Sequence, residues 1–321
     1  MGSDEKRLNK KQVSLVLGSG GAKGLAHIGV IHWLEDNGFE VSSVSGSSIG
    51  ALIGGIYAAG KLDEFEEWVR AITKGDMVTL MDLSWGRGGL IKGDKIISTL
   101  TDLVGDKTIE ELPINFTAVA TDIRGEREVW LNSGSLFQAI RASISLPMFF
   151  TPVQIDDLTL IDGGVLNPVP IAPTFGDKTD LTIAVNLGAR VQEEAASPRK
   201  KVSAEKDENP DLRNKIARFF RNFQKSEPAE HQERDWSASE VANQAFDAMQ
   251  STLARQKLAI YPPDMVVDIA RNACGTLEFN RAAEMIELGY ERAGVCLKSL
   301  KSSDSKTEGQ HVIIPRGDEV Y

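Results

Sequence analysis

Cysteine is scarce: the 321 residues include only Cys274 and Cys296. The two are not arranged as CxxC, and no Cys/His spacing typical of a metal site is present. The sequence therefore predicts neither a disulfide framework nor a zinc site, and we expect both thiols to be reduced. Neither a metal nor an organic cofactor is implied.

Long apolar runs are also absent. The first twelve residues, MGSDEKRLNKKQ, are polar and lead directly into a strand-like run, without the apolar core or cleavage site of a secretory signal. No stretch approaches the roughly eighteen apolar residues of a membrane-spanning helix. We therefore expect a cytoplasmic protein whose contact with lipid, if it occurs, is peripheral and at the inner face of the membrane.

Positive charge is in deficit, with 36 Lys and Arg against 46 Asp and Glu and a formal net charge of −10. This balance opposes the phosphate-driven binding on which nucleic-acid affinity depends, so we expect no nucleic-acid partner. The length and the 41% content of hydrophobic residues suffice to bury one large core. Nothing in the sequence indicates an oligomeric state.

Short β-branched runs alternate with helical stretches, which predicts a layered α/β fold. Strands are predicted at 13–17, 39–45, 114–121, 127–131, 159–161, 181–187 and 265–269, and helices at 21–37, 49–59, 63–73, 94–104, 135–143 and about 280–297. We divide the chain into a flexible N-terminus (1–12), a catalytic core (13–188), a charged insertion or lid (189–240), the C-terminal part of the same domain (241–300) and a disordered tail (301–321).

One segment of the insertion, residues 214–225, has helical periodicity. Ile216, Phe219, Phe220 and Phe223 recur at i, i+3, i+4 and i+7, and basic residues occupy much of the remaining surface. A basic amphipathic helix suits a membrane interface, which makes the three phenylalanines candidate membrane contacts. A helix that docks these phenylalanines on the domain is equally compatible with the pattern.

The run GSSIG, from Gly46 to Gly50, lies between a predicted strand and a helix of small residues. In that context Gly-x-Ser-x-Gly is typical of a nucleophile elbow, a sharp turn that exposes the serine hydroxyl. Ser48 is therefore a candidate nucleophile. The alternative is that it is one more small residue in a tight bend.

A second glycine-rich run, GSGGAKG from Gly18 to Gly24, follows the first predicted strand. Such a loop points backbone N–H groups at a negative atom, either a dinucleotide pyrophosphate or the oxyanion formed from an ester. A dinucleotide site needs an acidic residue at the end of the next strand. That strand runs instead into the turn at Ser48, so we favour the oxyanion, and a nucleotide-binding enzyme is the least favoured reading.

The general base is harder to assign because the sequence has only four histidines: His27, His32, His231 and His311. A Ser-His-Asp triad of the α/β-hydrolase type needs a histidine after the serine, at a rigid position. The two later histidines lie in the insertion and the tail, where we expect them to be solvated. We expect His27 and His32 to lie on the surface of a helix or to be partly buried.

Asp162 is an alternative base because it ends an apolar strand and precedes two glycines, although an ordinary Asp-Gly turn is also possible. With an ordinary pKa of about 4 it would be a weak base, so the oxyanion donors would supply much of the stabilisation. Asp122 is a competing carboxylate at another strand end. We expect it to bond nearby loop amides.

Taken in order, four blocks resemble the patatin-like phospholipase family, and among its members the bacterial esterases related to neuropathy target esterase. The blocks are the glycine loop with its continuation to Val30, the GSSIG elbow, RASISLPMFFTP from Arg141 to Pro152, and Asp162-Gly163-Gly164. The resemblance covers about residues 13–187. It implies a three-layer α/β/α fold with a central, mostly parallel sheet.

The resemblance also implies roles for individual residues. Ser48 and Asp162 would form a catalytic Ser-Asp dyad, facing an oxyanion hole of backbone N–H groups. The oxyanion donors would be Gly20, Gly21 and Ala22, and the remaining motif glycines are Gly46, Gly50, Gly163 and Gly164. Lys23 would position the loop, together with Gly24, or attract anionic headgroups. Two departures from the family are conservative: Ser19 stands where plant members often have glycine, and Asp162 is followed by glycine where others have alanine.

The function implied is a serine hydrolase that cleaves fatty-acyl esters of phospholipids or lysophospholipids through an acyl-serine intermediate. The resemblance implies no metal or organic cofactor. A lipid acyltransferase with the same dyad, and a non-catalytic regulatory module on the same fold, are the alternatives.

Overall fold

The computed structural model describes residues 10–73, 75, 91–190 and 238–302, and its strands form one sheet. The strands are β1 (Lys11–Leu17), β2 (Phe39–Ser47), β3 (Asn115–Asp122), β4 (Arg127–Leu131), β5 (Val153–Ile155), β6 (Leu158–Asp162), β7 (Leu181–Ala189) and β8 (Met265–Ala270). The helices are α1 (Ala26–Asp36), α2 (Ile49–Ala58), α3 (Leu62–Ala71), α4 (Asp94–Val104), α5 (Leu136–Ser143), α6 (Ala238–Ile260), α7 (Ala282–Cys296) and α8 (Lys298–Ser302).

The strand order is β5-β6-β3-β2-β1-β7-β8, with β4 paired to β3. Strands β3, β2, β1, β7 and β8 run parallel to one another, and β4, β5 and β6 are antiparallel additions. Parallel strands bring their carboxyl ends to the same edge of the sheet, which is where sites form in open α/β sheets. The glycine loop after β1 and the elbow after β2 therefore share one edge.

Alternating side chains of the central strands pack against helices on opposite faces of the sheet. Leu15 and Leu17 of β1 belong to the main core, together with residues of α1, α2, α5 and α7. Val16 points to the other face and packs with Ala254 of α6. Since successive strand residues face opposite sides, this pattern gives a helix layer on each face. The predicted α/β fold with a mostly parallel sheet is confirmed.

The helix that follows the glycine loop is held in place by α7. A Cβ atom on Gly29 would lie 1.9 Å from the carbonyl oxygen of Ile286, and one on Gly289 would lie 1.9 Å from that of Ala26. The backbones of α1 and α7 thus approach too closely for larger residues. Residues near the C-terminus therefore share the core that supports the loop.

The predicted elements that fall within the described residues agree with the structure to within a few residues, apart from the differences that follow. The helix predicted from residue 21 starts as a 3-10 turn, Gly21–Leu25, and becomes α-helical at Ala26. Strand β5 and helices α6 and α8 are not predicted from the sequence, and α6 begins before the predicted end of the insertion at residue 240. The 214–225 segment, with Phe219, Phe220 and Phe223, lies outside the described residues.

Candidate active site

Ser48 occupies the sharp turn between β2 and α2, in the strand–turn–helix arrangement that the motif predicts. Its φ is 57° and its ψ is −125°, a conformation that non-glycine residues rarely adopt. The turn is tight because a Cβ on Gly50 would lie 2.1 Å from the carbonyl oxygen of Leu17, and one on Gly46 would lie 2.4 Å from that of Gly50. Small residues are therefore required on both sides of Ser48.

The Ser48 hydroxyl donates a hydrogen bond to Oδ2 of Asp162, at 2.5 Å. Strand register explains how the two residues meet: Ser47 pairs with Val119 on β3, and the next β3 residue, Ala120, pairs with Asp162. The second carboxylate oxygen, Oδ1, accepts a hydrogen bond from the Gly164 amide at 2.7 Å. The structure thus brings the predicted nucleophile and the predicted base into direct contact.

The Asp162 carboxyl group is completely buried. Burial raises its pKa to about 7, although the hydrogen bonds from Ser48 and the Gly164 amide oppose the rise. A base whose pKa is near neutral is better matched to proton transfer at neutral pH than one with a pKa of about 4. The pKa of Asp162 is therefore higher than the ordinary value assumed from the sequence, and the cause is desolvation.

The three amides of the glycine loop that were predicted as oxyanion donors differ in whether they have a partner among the described residues. The Ala22 N–H donates to the carbonyl oxygen of Thr276 at 2.8 Å, so it is not available to a substrate in this arrangement. Within the described part of the chain, the Gly20 and Gly21 amides donate to no other group. The predicted set of oxyanion donors is therefore reduced to Gly20 and Gly21.

The loop packs directly on the elbow. A Cβ on Gly24 would lie 2.2 Å from the side chain of Ile49, the residue after the nucleophile. At the other end of the loop, the Ser19 amide donates to the carbonyl oxygen of Pro168 at 2.8 Å. The two backbone turns are thereby fixed relative to each other.

Lys23 points into the protein and not into solvent. Its side chain is buried, and burial lowers its pKa, while Asp247 of α6 and Cys274 act in the opposite direction. A buried ammonium group is poorly placed to attract an anionic headgroup from outside. The position of Lys23 therefore favours the predicted role in positioning the loop.

Gly164, the second glycine after Asp162, packs against Ser19, one of the two residues that depart from the family pattern. A Cβ on Gly164 would lie 2.4 Å from Oγ of Ser19 and 2.5 Å from Nε2 of Gln250. Gln250, on the unpredicted helix α6, also lies within hydrogen-bonding distance of the Ser19 hydroxyl, at 3.3 Å. Gly163 has no room either, because its Cβ would be 2.0 Å from the carbonyl oxygen of Val119.

The competing carboxylate, Asp122, has other partners. Its Oδ1 accepts a hydrogen bond from the Arg124 amide at 3.2 Å, and its Oδ2 lies 3.5 Å from Nε of Arg127. It therefore bonds a loop amide, as expected from the sequence. Ser48 is bonded to Asp162 instead.

The two histidines in the described residues serve other contacts. His27 is fully buried, which corrects the expectation of a surface or partly buried position, and its Nε2 lies 2.9 Å from the carbonyl oxygen of Gly18. Burial lowers its pKa to about 4, so the ring is neutral at pH 7. His32 lies 2.6 Å from Glu66. His231 and His311 lie outside the described residues.

Sequence reasoning missed two side chains beside the dyad, Gln250 and Ser143. The Ser48 amide donates to Oγ of Ser143 at 2.9 Å, so this amide is also unavailable as an oxyanion donor. Ser143 belongs to the RASIS run that was noted as a motif, but nothing in the motif specified its contact. Nothing in the sequence indicated that Gln250 would lie near the site, because its helix was not predicted.

Neither a cluster of metal ligands nor a membrane-spanning helix is found among the described residues. In residues 10–73, 75, 91–190 and 238–302, no three His, Cys, Asp or Glu side chains are gathered in a way that could hold a metal ion. The helices of the same part of the chain are all too short or too polar to cross a membrane.

Comparison with known proteins gives three results. Residues 15–175 match the family model of patatin-like phospholipases. An NTE family protein of Mycobacterium tuberculosis is 36% identical over 92% of this chain and 94% of its own length, and the lysophospholipase nte1 of Aspergillus fumigatus is 29% identical over 94% of this chain and 19% of its own. The crystal structure of VipD from Legionella pneumophila is similar over 90% of this chain and 67% of that one, with a TM-score of 0.46 and 16% identity.

Proposed function

This chain belongs to the patatin-like phospholipase family, and from that premise we propose that it is a serine hydrolase that cleaves fatty-acyl esters of phospholipids or lysophospholipids. The observation that carries the proposal is the 2.5 Å hydrogen bond from the Ser48 hydroxyl to a fully buried Asp162 carboxylate. The substrate class is supported by the family's name and by that of the Aspergillus lysophospholipase.

In the first half of the reaction, Ser48 Oγ attacks the ester carbonyl carbon and its proton passes to Oδ2 of Asp162. The carbonyl oxygen becomes an oxyanion, which the free Gly20 and Gly21 amides stabilise. The tetrahedral intermediate then collapses, and the departing alcohol takes the proton from Asp162. The products of this half are the free alcohol and an acyl group on Ser48.

In the second half, Asp162 accepts a proton from a water molecule that attacks the acyl carbon. The second tetrahedral intermediate releases the fatty acid, and the proton held by Asp162 returns to Ser48 Oγ. The raised pKa of Asp162 suits this alternation, because the group must both accept and release a proton.

The loop geometry supports the remaining assignments. Lys23 is buried against α6, and Gly24 packs on Ile49, so both hold the glycine loop against the elbow. The glycines of the two motifs allow backbone contacts that a Cβ would prevent. We include residues 241–300 in the catalytic domain because α7 packs on α1, and we place the insertion between the end of β7 at Ala189 and the start of α6 at Ala238.

Peripheral membrane association is a further part of the proposal. A lipid ester presents its acyl chains from a bilayer or micelle, so a surface-binding element would bring the site to its substrate. The basic, phenylalanine-bearing segment 214–225 has the composition of such an element. Its structure lies outside the described residues.

A lipid-panel hydrolysis assay tests the function. Wild type and Ser48→Ala are incubated with phospholipids, lysophospholipids and a neutral acylglycerol, and released fatty acid is measured. We expect wild type to release fatty acid from phospholipid or lysophospholipid and Ser48→Ala to release almost none. Transfer of the acyl group to an added lipid alcohol in preference to water would instead identify an acyltransferase. No turnover and no reaction of Ser48 with a fluorophosphonate would identify a non-catalytic module.

A further inference from the structure

The last turn of α5 and the two residues after it, residues 141–145, contact the backbone of both proposed dyad residues. Oγ of Ser143 accepts a hydrogen bond from the Ser48 amide at 2.9 Å and donates one to the carbonyl oxygen of Val119 at 2.6 Å. The hydroxyl is completely buried, so both of its hydrogen-bonding functions are used inside the protein. It links the strained elbow to the neighbouring strand β3.

Two residues after Ser143, a backbone group of Ser145 contacts the proposed base, Asp162. The carbonyl oxygen of Ser145 accepts a hydrogen bond from the Asp162 amide at 3.0 Å. The Ser145 side chain is fixed in turn, since its Oγ accepts from Nη1 of Arg141 at 2.6 Å and donates to the Arg141 carbonyl oxygen at 2.7 Å. Residues 143 and 145 thus hold the backbones of Ser48 and Asp162.

Arg141 anchors this segment to its surroundings. Its Nε donates to the carbonyl oxygen of Lys92 at 3.0 Å, and Nη2 donates to the carbonyl oxygen and the hydroxyl of Thr151 at 3.1 and 3.0 Å. Its guanidinium group also lies 5.5 Å from the centre of the Phe150 ring. A buried guanidinium with this many partners fixes the position of the chain on both sides of it.

We infer that residues 141–145 form a clamp that sets the distance between the nucleophile and its base, with Ser143 as a positioning residue for Ser48. The inference rests on the proposed hydrolase function. It adds a role for residues 141–145, which include neither member of the proposed dyad. Ser48 has a backbone conformation that is unfavourable outside glycine, so it needs neighbours that hold it. The Ser143 hydroxyl is the side chain that bonds its amide.

Removing that hydroxyl has a defined consequence. Without the Ser143 hydroxyl, the Ser48 amide loses its acceptor and the Val119 carbonyl loses a donor, and the turn shifts to find others. The Ser48 hydroxyl then bonds Asp162 less well. Because that bond lowers the pKa of Asp162 against the effect of burial, a weaker bond leaves the pKa higher. A positioning role therefore changes both the rate and the pH profile.

The test compares Ser143→Ala with Ser45→Ala, a control that removes another buried hydroxyl, on β2. The Ser45 hydroxyl has no hydrogen-bond partner among the described residues. With a soluble short-chain p-nitrophenyl ester, we expect Ser143→Ala to lower kcat by roughly 10–100-fold with little change in KM, and to move the apparent pKa of kcat upward. Ser45→Ala should leave kcat, KM and the pH profile as in wild type.

A second variant, Ser143→Cys, guards against a failure of Ser143→Ala to fold. It keeps the size of the side chain but offers a weaker acceptor, so it should show a smaller change in the same direction. The inference is overturned if either Ser143 variant has a wild-type melting temperature, kcat and pH profile, or if Ser143→Ala lowers kcat no more than Ser45→Ala. Ser48→Ala, measured alongside, separates the two claims: full activity in that variant overturns the proposed function itself.

Discussion

The Ser48 hydroxyl donates to Asp162 at 2.5 Å across a separation of 114 residues in the chain. The contact depends on the register of three strands. Val119 of β3 pairs with Ser47 of β2, and the next residue of β3, Ala120, pairs with Asp162 of β6. Asp162 is fully buried, and burial brings its pKa to about 7. In the proposed mechanism, this buried carboxylate takes the role that hydrolases with a triad assign to histidine.

The first prediction separates the two strand-end carboxylates. Asp162→Asn removes the proton acceptor of Ser48 and should lower kcat by about 10²–10⁴-fold, which is the usual contribution of a general base. The matched control is Asp122→Asn, because Asp122 is also buried at a strand end but bonds Arg124 and Arg127. It should remain active. If Asp122→Asn abolished turnover in a folded protein while Asp162→Asn did not, the assignment of the base would be wrong.

The second prediction concerns pH. Asp162 accepts a proton only when it is ionised, and burial raises its pKa to about 7. The kcat/KM of wild type should therefore rise as pH increases through about 7 and then level off. A soluble ester avoids changes in lipid packing across the pH series. A rate that is constant from pH 5.5 to 8.5 in a folded protein would show that no group with this pKa acts in the reaction.

Much of this arrangement follows from the sequence, and the reasons are local. The glycine loop and the elbow are each specified by a few consecutive residues, and the alternation of β-branched and helical runs gives the order of the layers. Asp162 was selected because it ends an apolar run before two glycines. Residues close together in the chain, or tied to a short pattern, are the ones that sequence reasoning can place.

The features of the site that could not be predicted from the sequence depend on contacts between distant segments of the chain. The Ala22 amide is occupied by Thr276, which lies beyond β8. The pKa of Asp162 depends on burial, which no motif reports. Helix α6 was missed because the side chains on its buried side, such as Ser251 and Ala254, are small and give a weak hydrophobic period.

The third prediction concerns Ser19 and Gly164. In Gly164→Ala the new Cβ would crowd the Ser19 hydroxyl at 2.4 Å and the Gln250 amide at 2.5 Å, so the turn after Asp162 should shift and kcat should fall. Adding Ser19→Gly removes one of the two obstructing groups and should restore part of the loss. A double-mutant cycle on kcat/KM should give a favourable coupling of about 1 kcal/mol. Strict additivity of the two substitutions would contradict this packing relationship.

The fourth prediction concerns membrane association. Replacing Phe219, Phe220 and Phe223 together with serine should weaken sedimentation with anionic liposomes, because the apolar side of the proposed interfacial helix is lost while its basic residues remain. Hydrolysis of a soluble short-chain ester should be retained, since the dyad is unaffected. Equal liposome binding by the variant and the wild type would refute the interfacial role of this segment.

The most direct measurement is to map the site of covalent reaction with a fluorophosphonate. The Ser48 oxygen should displace fluoride from phosphorus, and peptide mass spectrometry should find the phosphonyl group on the peptide that contains Ser48, in step with the loss of hydrolytic activity. Asp162→Asn should react more slowly, and Ser48→Ala should not react at this position. An enzyme whose activity is lost while Ser48 stays unmodified, or whose adduct maps to another residue, would contradict the account.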